Sequence, residues 1–238
     1  MLTVFLDSSS LFKRRYFDSS IIILCVRWYI TYKPSYRDLR DMMAERGVDL
    51  AHTTILRWVQ RYVPEFERKW GRFARPVSTS WRVDETYIRV RGEWKYLYRA
   101  VDKQGNTVDF LLSQHRDIEA AKRFFTQAIE KQQAPEKITV DAYAATHTAV
   151  GELKESKILP INVLVRTSKY LNDLVEQDHR RVKQRVYPML GFKRFGNAAI
   201  TLSGIELVHK IKKGQFDTSK LRQEECMVGE LWQAVLTA

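Results

Sequence analysis

Residues 81–90 read W-R-V-D-E-T-Y-I-R-V, a run of β-branched and aromatic residues interrupted by two acids, Asp84 and Glu85. Working outward, Gly92 marks a turn, residues 94–101 and 107–112 supply two more strands, and D-K-Q-G-N at 102–106 is the turn between them. These three form a meander. Residues 117–131 then place Ile118, Ala121, Phe124, Phe125, Ala128 and Ile129 at helical spacing, and residues 137–141 read K-I-T-V-D, a short strand that ends on an aspartate. The order strand, strand, strand, helix, strand, helix predicts a mixed α/β sheet of the ribonuclease-H-like kind, in which functional sites gather near strand ends. If the first and fourth strands are neighbours, Asp84 and Asp141 lie side by side. Two adjacent carboxylates repel unless a cation joins them, so the pair predicts a divalent metal site.

A third acid comes from a helix expected over residues 170–186. Advancing about 100° per residue from Glu176 brings His179, Arg180 and Lys183 within about 60° of it, while Leu171, Val175, Val182 and Val186 form a separate apolar stripe. Glu176 therefore borders the buried side beside cations. Asp178 projects into the apolar stripe, which predicts a buried, hydrogen-bonded carboxylate, and His179 reads as a structural partner rather than a metal ligand. The basic stretch 180–194, with Tyr187 and Phe192 interleaved, has the composition of a surface that tracks a DNA backbone. Apolar residues over 197–213 read as a helix packing on the sheet.

The first 75 residues have a different pattern. Ile21, Leu24, Cys25, Trp28 and Tyr32 recur at spacings of three and four, predicting a helix that ends before Pro34. Ser35 can cap a second helix with Tyr36, Leu39, Met42 and Met43 inward, and Gly47 can leave it in a left-handed conformation. A third helix over 53–62 would bury Ile55, Val59 and Tyr62 and stop at Pro64. Its outward residues include Thr53, Thr54, Arg57 and Arg61, suited to base edges and phosphates in a DNA major groove. This is helix-turn-helix spacing. The expected organisation is a lead-in over 1–15, a helix-turn-helix domain over 16–69, a linker over 70–80, a catalytic domain over 81–215 and a tail over 216–238.

Forty Lys and Arg against 28 Asp and Glu give a net charge of +12 in 238 residues, which points to a polyanionic partner. The excess is +6 over residues 1–75 and +7 over 160–215, whereas 76–159 is nearly neutral, so the acids concentrate where the chemistry is expected. The longest aliphatic run, 21–24, is far short of the roughly 20 residues that span a bilayer. Two cysteines are too few for a disulfide scaffold or a cysteine-rich zinc site, which fits a reducing cytosol.

Asp84, Asp141 and Glu176, with 34 residues between the last two and Lys183 seven after the glutamate, resemble the DDE triad and trailing basic residue of bacterial transposases. The strings R-W-Y, S-Y-R-D-L, A-E-R-G-V, H-T-T-I-L-R-W-V-Q-R-Y, V-D-E-T-Y-I-R-V and Y-L-Y-R-A-V-D are similar to the insertion-sequence family usually called IS six. So are T-V-D-F-L-L, L-N-D-L-V-E-Q-D-H-R, M-L-G-F-K-R-F and G-I-E-L-V-H-K-I-K-K-G-Q-F. The match runs from about residue 12 to the C-terminus. Asp141 is followed by Ala142-Tyr143 where many relatives carry lysine.

The resemblance implies a transposase in which Asp84, Asp141 and Glu176 hold two Mg²⁺ or Mn²⁺ ions roughly 3.5–4 Å apart, with Lys183 and Arg180 at phosphate oxygens. It further implies double-stranded DNA partners, namely terminal inverted repeats and target, and at least a homodimer. The compartment it implies is the bacterial cytosol, with the protein on the nucleoid when bound to DNA. The residues alone leave two other readings: a non-catalytic helix-turn-helix regulator, and a nuclease of the same fold that cuts without joining. A regulator has no need of three carboxylates with a basic residue on the glutamate's face.

Overall fold

The computed structural model describes residues 10–12, 16–141, 143–168, 173–221 and 228–237. The chain divides into two compact units, Met1–Ala74 with Ile200–Ala238, and Arg75–Ala199. Most of the expected lead-in, residues 1–9 and 13–15, lies outside the described residues.

In the first unit, α1 (Ser19–Thr31) starts at Asp18, whose carboxylate accepts from the Ser20 N–H at 2.7 Å. The apolar face is not the expected one. Ile22, Ile23, Cys25, Val26, Tyr29 and Ile30 are buried, while Tyr32 is 59% exposed. With six consecutive apolar residues at 21–26, periodicity alone cannot choose the buried side. α2 (Tyr36–Ala44) has the expected cap: Ser35 Oγ accepts from the Asp38 N–H and Asp38 accepts from the Ser35 N–H. Leu39 and Met43 are buried, and Gly47 leaves the helix at φ +73°.

α3 (His52–Gly71) does not stop at Pro64 but continues through it for seven more residues. Pro64 lacks the N–H that would bond to Gln60 and costs helix stability. Packing overrides this: Tyr62, Val63, Phe66 and Trp70 beyond or beside it are buried, and Phe66 and Trp70 meet Trp232 of α8 (Val228–Thr237) edge to face. α7 (Phe195–Lys212) was expected to pack on the sheet within a domain reaching residue 215. The division between units falls inside it, and residues 200–212 belong with the helical unit. Gly204 makes the approach: a Cβ there would sit 2.7 Å from Ile30 Cγ2 and 3.1 Å from Val63 Cγ1.

The second unit is built on a five-stranded sheet of order β3-β2-β1-β4-β5, the ribonuclease-H-like arrangement. β1 (Ser80–Val90), β2 (Glu93–Asp102) and β3 (Thr107–Ser113) form the antiparallel meander; β4 (Lys137–Val140) and β5 (Leu164–Thr167) add in parallel on the far side of β1. β5 was not anticipated, because L-V-R-T is a short edge strand with little burial. Asp102 fastens the β2–β3 turn, accepting from the N–H groups of Gln104 and Asn106 and from Ser78.

Strand alternation gives the sheet two different faces. Trp81, Val83, Tyr98 and Ala100 pack with Phe124, Phe125 and Ala128 of α4 (Ile118–Lys131) and Val150 and Leu153 of α5 (Ala144–Glu155). The other face carries Asp84 and its register partner Arg99 against α6 (Asp173–Val186). The helix was expected from residue 170; Tyr170, Leu171 and Asn172 lie outside the described residues. Asp178 is buried as expected and meets Arg99 at 2.6 Å, their side chains 6% and 0% exposed.

Removing one partner of such a pair strands a buried charge. Asp178→Ala is expected to cost about 3–5 kcal/mol in denaturant unfolding, whereas Arg99→Met combined with Asp178→Leu costs far less. Equal losses in the single and double variants would show that the pair is not what holds this face.

Candidate active site

β1 and β4 run parallel, with Ser80, Trp81 and Arg82 beside Lys137, Ile138 and Thr139. Continuing that register two positions sets Asp84 beside Asp141, one residue past the end of β4. The strand order therefore supplies the adjacency that the sequence reading made conditional. Carboxylate oxygens of Asp84, Glu85 and Asp141 lie within 4.8 Å of one another.

Asp84 is the least compensated of the three. Burial pushes its carboxyl from 3.8 up to about 7; the charges of Glu85, Asp141 and Glu176 push the same way, against a hydrogen bond from the Glu85 N–H. Among the described residues it has no lysine or arginine at ion-pair distance. Its near neighbour is His179, Nδ1 lying 3.5 Å from Asp84 Oδ2. Burial lowers the His179 imidazole to about 3, helped by Arg99 and Lys183 and opposed by Asp178. His179 is thus neutral near pH 7, and its approach to Asp84 is a polar contact rather than an ion pair.

Glu85 is differently placed. Its side chain is 4% exposed, and it accepts from Arg116 Nη2 at 3.1 Å and from Thr146 Oγ1 at 3.3 Å. Burial raises the Glu85 carboxyl and Arg116 pulls it back. Asp141 accepts from the Tyr143 N–H at 3.0 Å and lies 3.6 Å from Arg116, while its own carbonyl meets His147 Nε2 at 3.0 Å. Ala142, where the resemblance expects lysine, lies outside the described residues.

Glu176 is exposed on α6 and outside the 4.8 Å cluster, but it contributes to the electrostatics of Asp84. Arg180 and Lys183 are exposed on the same helix, and Lys183 acts on His179. In the helical unit, Thr53, Arg57 and Arg61 are exposed on α3, and Thr54 is half-buried with its N–H bonded to the Ala51 carbonyl. Sequence reasoning missed the part played by Glu85, Arg116, Tyr143 and Thr146. Glu85 could have been suspected from its place next to Asp84, but Arg116 carries no local signal, being 31 residues from its partner.

The donor set fits a divalent cation: hard carboxylate oxygens lie within 4.8 Å of one another, and Asp84, raised chiefly by its own burial and further by its acidic neighbours, has no lysine or arginine beside it among the described residues. Among the described residues, no helix is long and apolar enough to cross a membrane.

Comparisons with known proteins identify the family. Residues 78–215 match the DDE domain of IS240-type transposases. The chain is 37% identical over 203 residues, 85% of its length and 88% of theirs, to two transposases of Staphylococcus aureus. These are the transposase for insertion sequence-like element IS431mec and that for insertion sequence element IS257 in transposon Tn4003. Among solved structures, it is similar to the catalytic core domain of BIV integrase, with a TM-score of 0.42 and 16% identity over 64% of this chain and 88% of that one. It is likewise similar to the HTLV-2 integrase catalytic core domain in complex with magnesium, with a TM-score of 0.43 and 18% identity over 67% and 99%. With a family domain matched over more than half its length and relatives this similar over most of it, the chain belongs to the DDE transposases of the IS six insertion-sequence family.

Proposed function

We propose that this transposase recognises the terminal inverted repeats of its element through α3 and cuts and joins DNA at a site formed by Asp84, Asp141 and Glu176. The observation that carries the reading is the parallel pairing that sets Asp84 beside Asp141. In the first reaction, water attacks a phosphodiester at the element's end and a 3′-hydroxyl leaves; in the second, that hydroxyl attacks target DNA, displacing another. Mg²⁺ or Mn²⁺ bound by the three carboxylates supplies Lewis acidity to the phosphodiester and makes the attacking oxygen more nucleophilic.

The chain's own groups do the rest. Asp84 within β1 and Asp141 just past the end of β4 fix the reacting point, and Glu176 approaches from α6. His179, neutral and buried, adds no charge to offset the carboxylates and leaves them free for a cation. Lys183 and Arg180 meet phosphate oxygens of the bound strand, Lys183 as a compact point charge. Because two ends are joined in one complex, the working form is at least a dimer.

Purified protein with labelled terminal-repeat DNA and a plasmid target tests this directly. Joined product in Mg²⁺ should vanish with EDTA and with Glu176→Gln, and Asp84→Asn or Asp141→Asn should lower it by roughly a thousandfold or more while end binding persists. Cleavage without joining would identify a nuclease, and specific binding without either reaction a regulator.

Arg57→Ala on α3 should weaken end binding about 10- to 100-fold. If Arg61 contacts one phosphate, Arg61→Ala should lower the slope of log affinity against log salt by about 0.9. An unchanged footprint in both variants would remove α3 from the interface.

The pKa shifts give a signed pH dependence for the metal-free protein. Asp84 is raised, so between about pH 4 and 7 the folded state holds more protons than the unfolded one and stability falls as pH rises. His179 is lowered, so between about pH 3 and 6.5 stability rises with pH. The two oppose each other over about pH 4–6.5. Asp84→Asn should unmask the rise, and above pH 7 in EDTA should exceed the parent by on the order of 2 kcal/mol. Added Mg²⁺ at pH 8 should stabilise the parent alone. Parallel curves for the two proteins would refute the assignment.

A further inference from the structure

Of the three clustered carboxylates, one is already fully engaged. Glu85 has a donor on each oxygen, Arg116 Nη2 on Oε2 and Thr146 Oγ1 on Oε1. The same Nη2 lies 3.6 Å from Asp141 Oδ2. The arginine is itself clamped: its guanidinium carbon lies 3.7 Å from the centroid of the Tyr143 ring, and the Tyr143 hydroxyl donates to the Arg116 carbonyl at 3.0 Å. Tyr143 also donates its N–H to Asp141 Oδ1. Asp117 follows Arg116 and caps α4, which fixes the backbone on that side.

We propose that Arg116 is the built-in counter-cation of this cluster, a positioning residue that withdraws Glu85 from the metal-ligand set and sets how tightly the divalent cation is held. The inference rests on the reading that Asp84 and Asp141 bind that cation. A guanidinium keeps its charge at every working pH, and stacking on Tyr143 prevents it from following a displaced partner. It therefore neutralises Glu85 permanently. For Asp141 it serves both as a hold on Oδ2 and as a like charge that an arriving cation must face, which weakens metal binding. Asp84 and Asp141, with Glu176 from α6, remain as ligands, and Glu85 serves to anchor Arg116. Three adjacent acids thus give a selective ligand set instead of an undifferentiated acidic hole.

The test is calorimetric titration of the full chain with Mn²⁺ in the absence of DNA, so that metal affinity is read apart from catalysis. Arg116→Gln should bind Mn²⁺ about tenfold more tightly, because a positive charge close to the ligands is gone. Tyr143→Leu should move affinity in the same direction by about threefold, through a loosened clamp. Glu85→Gln should weaken binding by about tenfold, the loss of one nearby negative charge, and far less than Asp84→Asn, as expected for a carboxylate that is not a ligand. Equal or weaker Mn²⁺ binding by Arg116→Gln with a native circular dichroism spectrum overturns the proposal. Loss of binding by Glu85→Gln to the extent seen in Asp84→Asn also overturns it, by making Glu85 a ligand. If Arg116→Gln does not fold, an unchanged affinity in Tyr143→Leu counts against the proposal in the same way. Asp84→Asn separates the two levels: undiminished Mn²⁺ binding there removes the metal site itself, whatever Arg116 does.

Discussion

The buried ion pair between Arg99 of β2 and Asp178 of α6 ties the sheet to the helix that carries Glu176, one of the candidate site residues. Arg99 stands opposite Asp84 in the β1–β2 register, so the residue that fixes α6 is the cross-strand neighbour of the first catalytic candidate. Asp178 adjoins His179 and lies two residues after Glu176. That contact helps to set the height and rotation of the helix that carries Glu176, His179, Arg180 and Lys183. Because both side chains are out of water, the pair tolerates neither a shift in α6 nor a loss of either partner.

Around that anchor the unit places its electrostatic strain in one spot and relieves it elsewhere. Asp84 is held where ionisation is unfavourable, between other acids and a neutral histidine. Other carboxylates in the same unit are fully satisfied: Asp102 accepts from several donors in its turn, and Asp117 caps a helix. Asp102 and Asp117 build structure and are met by several donors or a helix N-terminus; Asp84, with no lysine or arginine at ion-pair distance among the described residues, is at the candidate site. Functional sites are where such departures from local optimisation are expected.

Much of this was legible in the sequence for identifiable reasons. The meander could be read because its strands are bounded by Gly92 and the D-K-Q-G-N turn, and α4 because its apolar residues keep one period. Asp84 and Asp141 could be paired only on condition of strand order, which no local pattern states. Asp178 betrayed itself by standing in an apolar stripe. α1 hid its buried face because it is apolar nearly all round, and α3 hid its length because the rule that proline ends a helix ignores aromatic packing from residues over 160 positions away. Glu85 and Arg116 illustrate the same limit in the site. Their contact is a product of topology, and neither residue's immediate neighbours announce it.

The helical unit is assembled from both ends of the chain, with the whole catalytic unit lying between its two pieces. During synthesis residues 75–199 are complete before α8 exists, so the sheet can form while Phe66 and Trp70 still lack Trp232. The helices α1 to α3 thus acquire a finished core only after the residues of the catalytic unit have been made. A chain cut short before α8 holds the residues of the catalytic unit without a completed helical unit. If α3 reads DNA, as proposed, it does so on a core that is finished only in chains whose synthesis has passed α8.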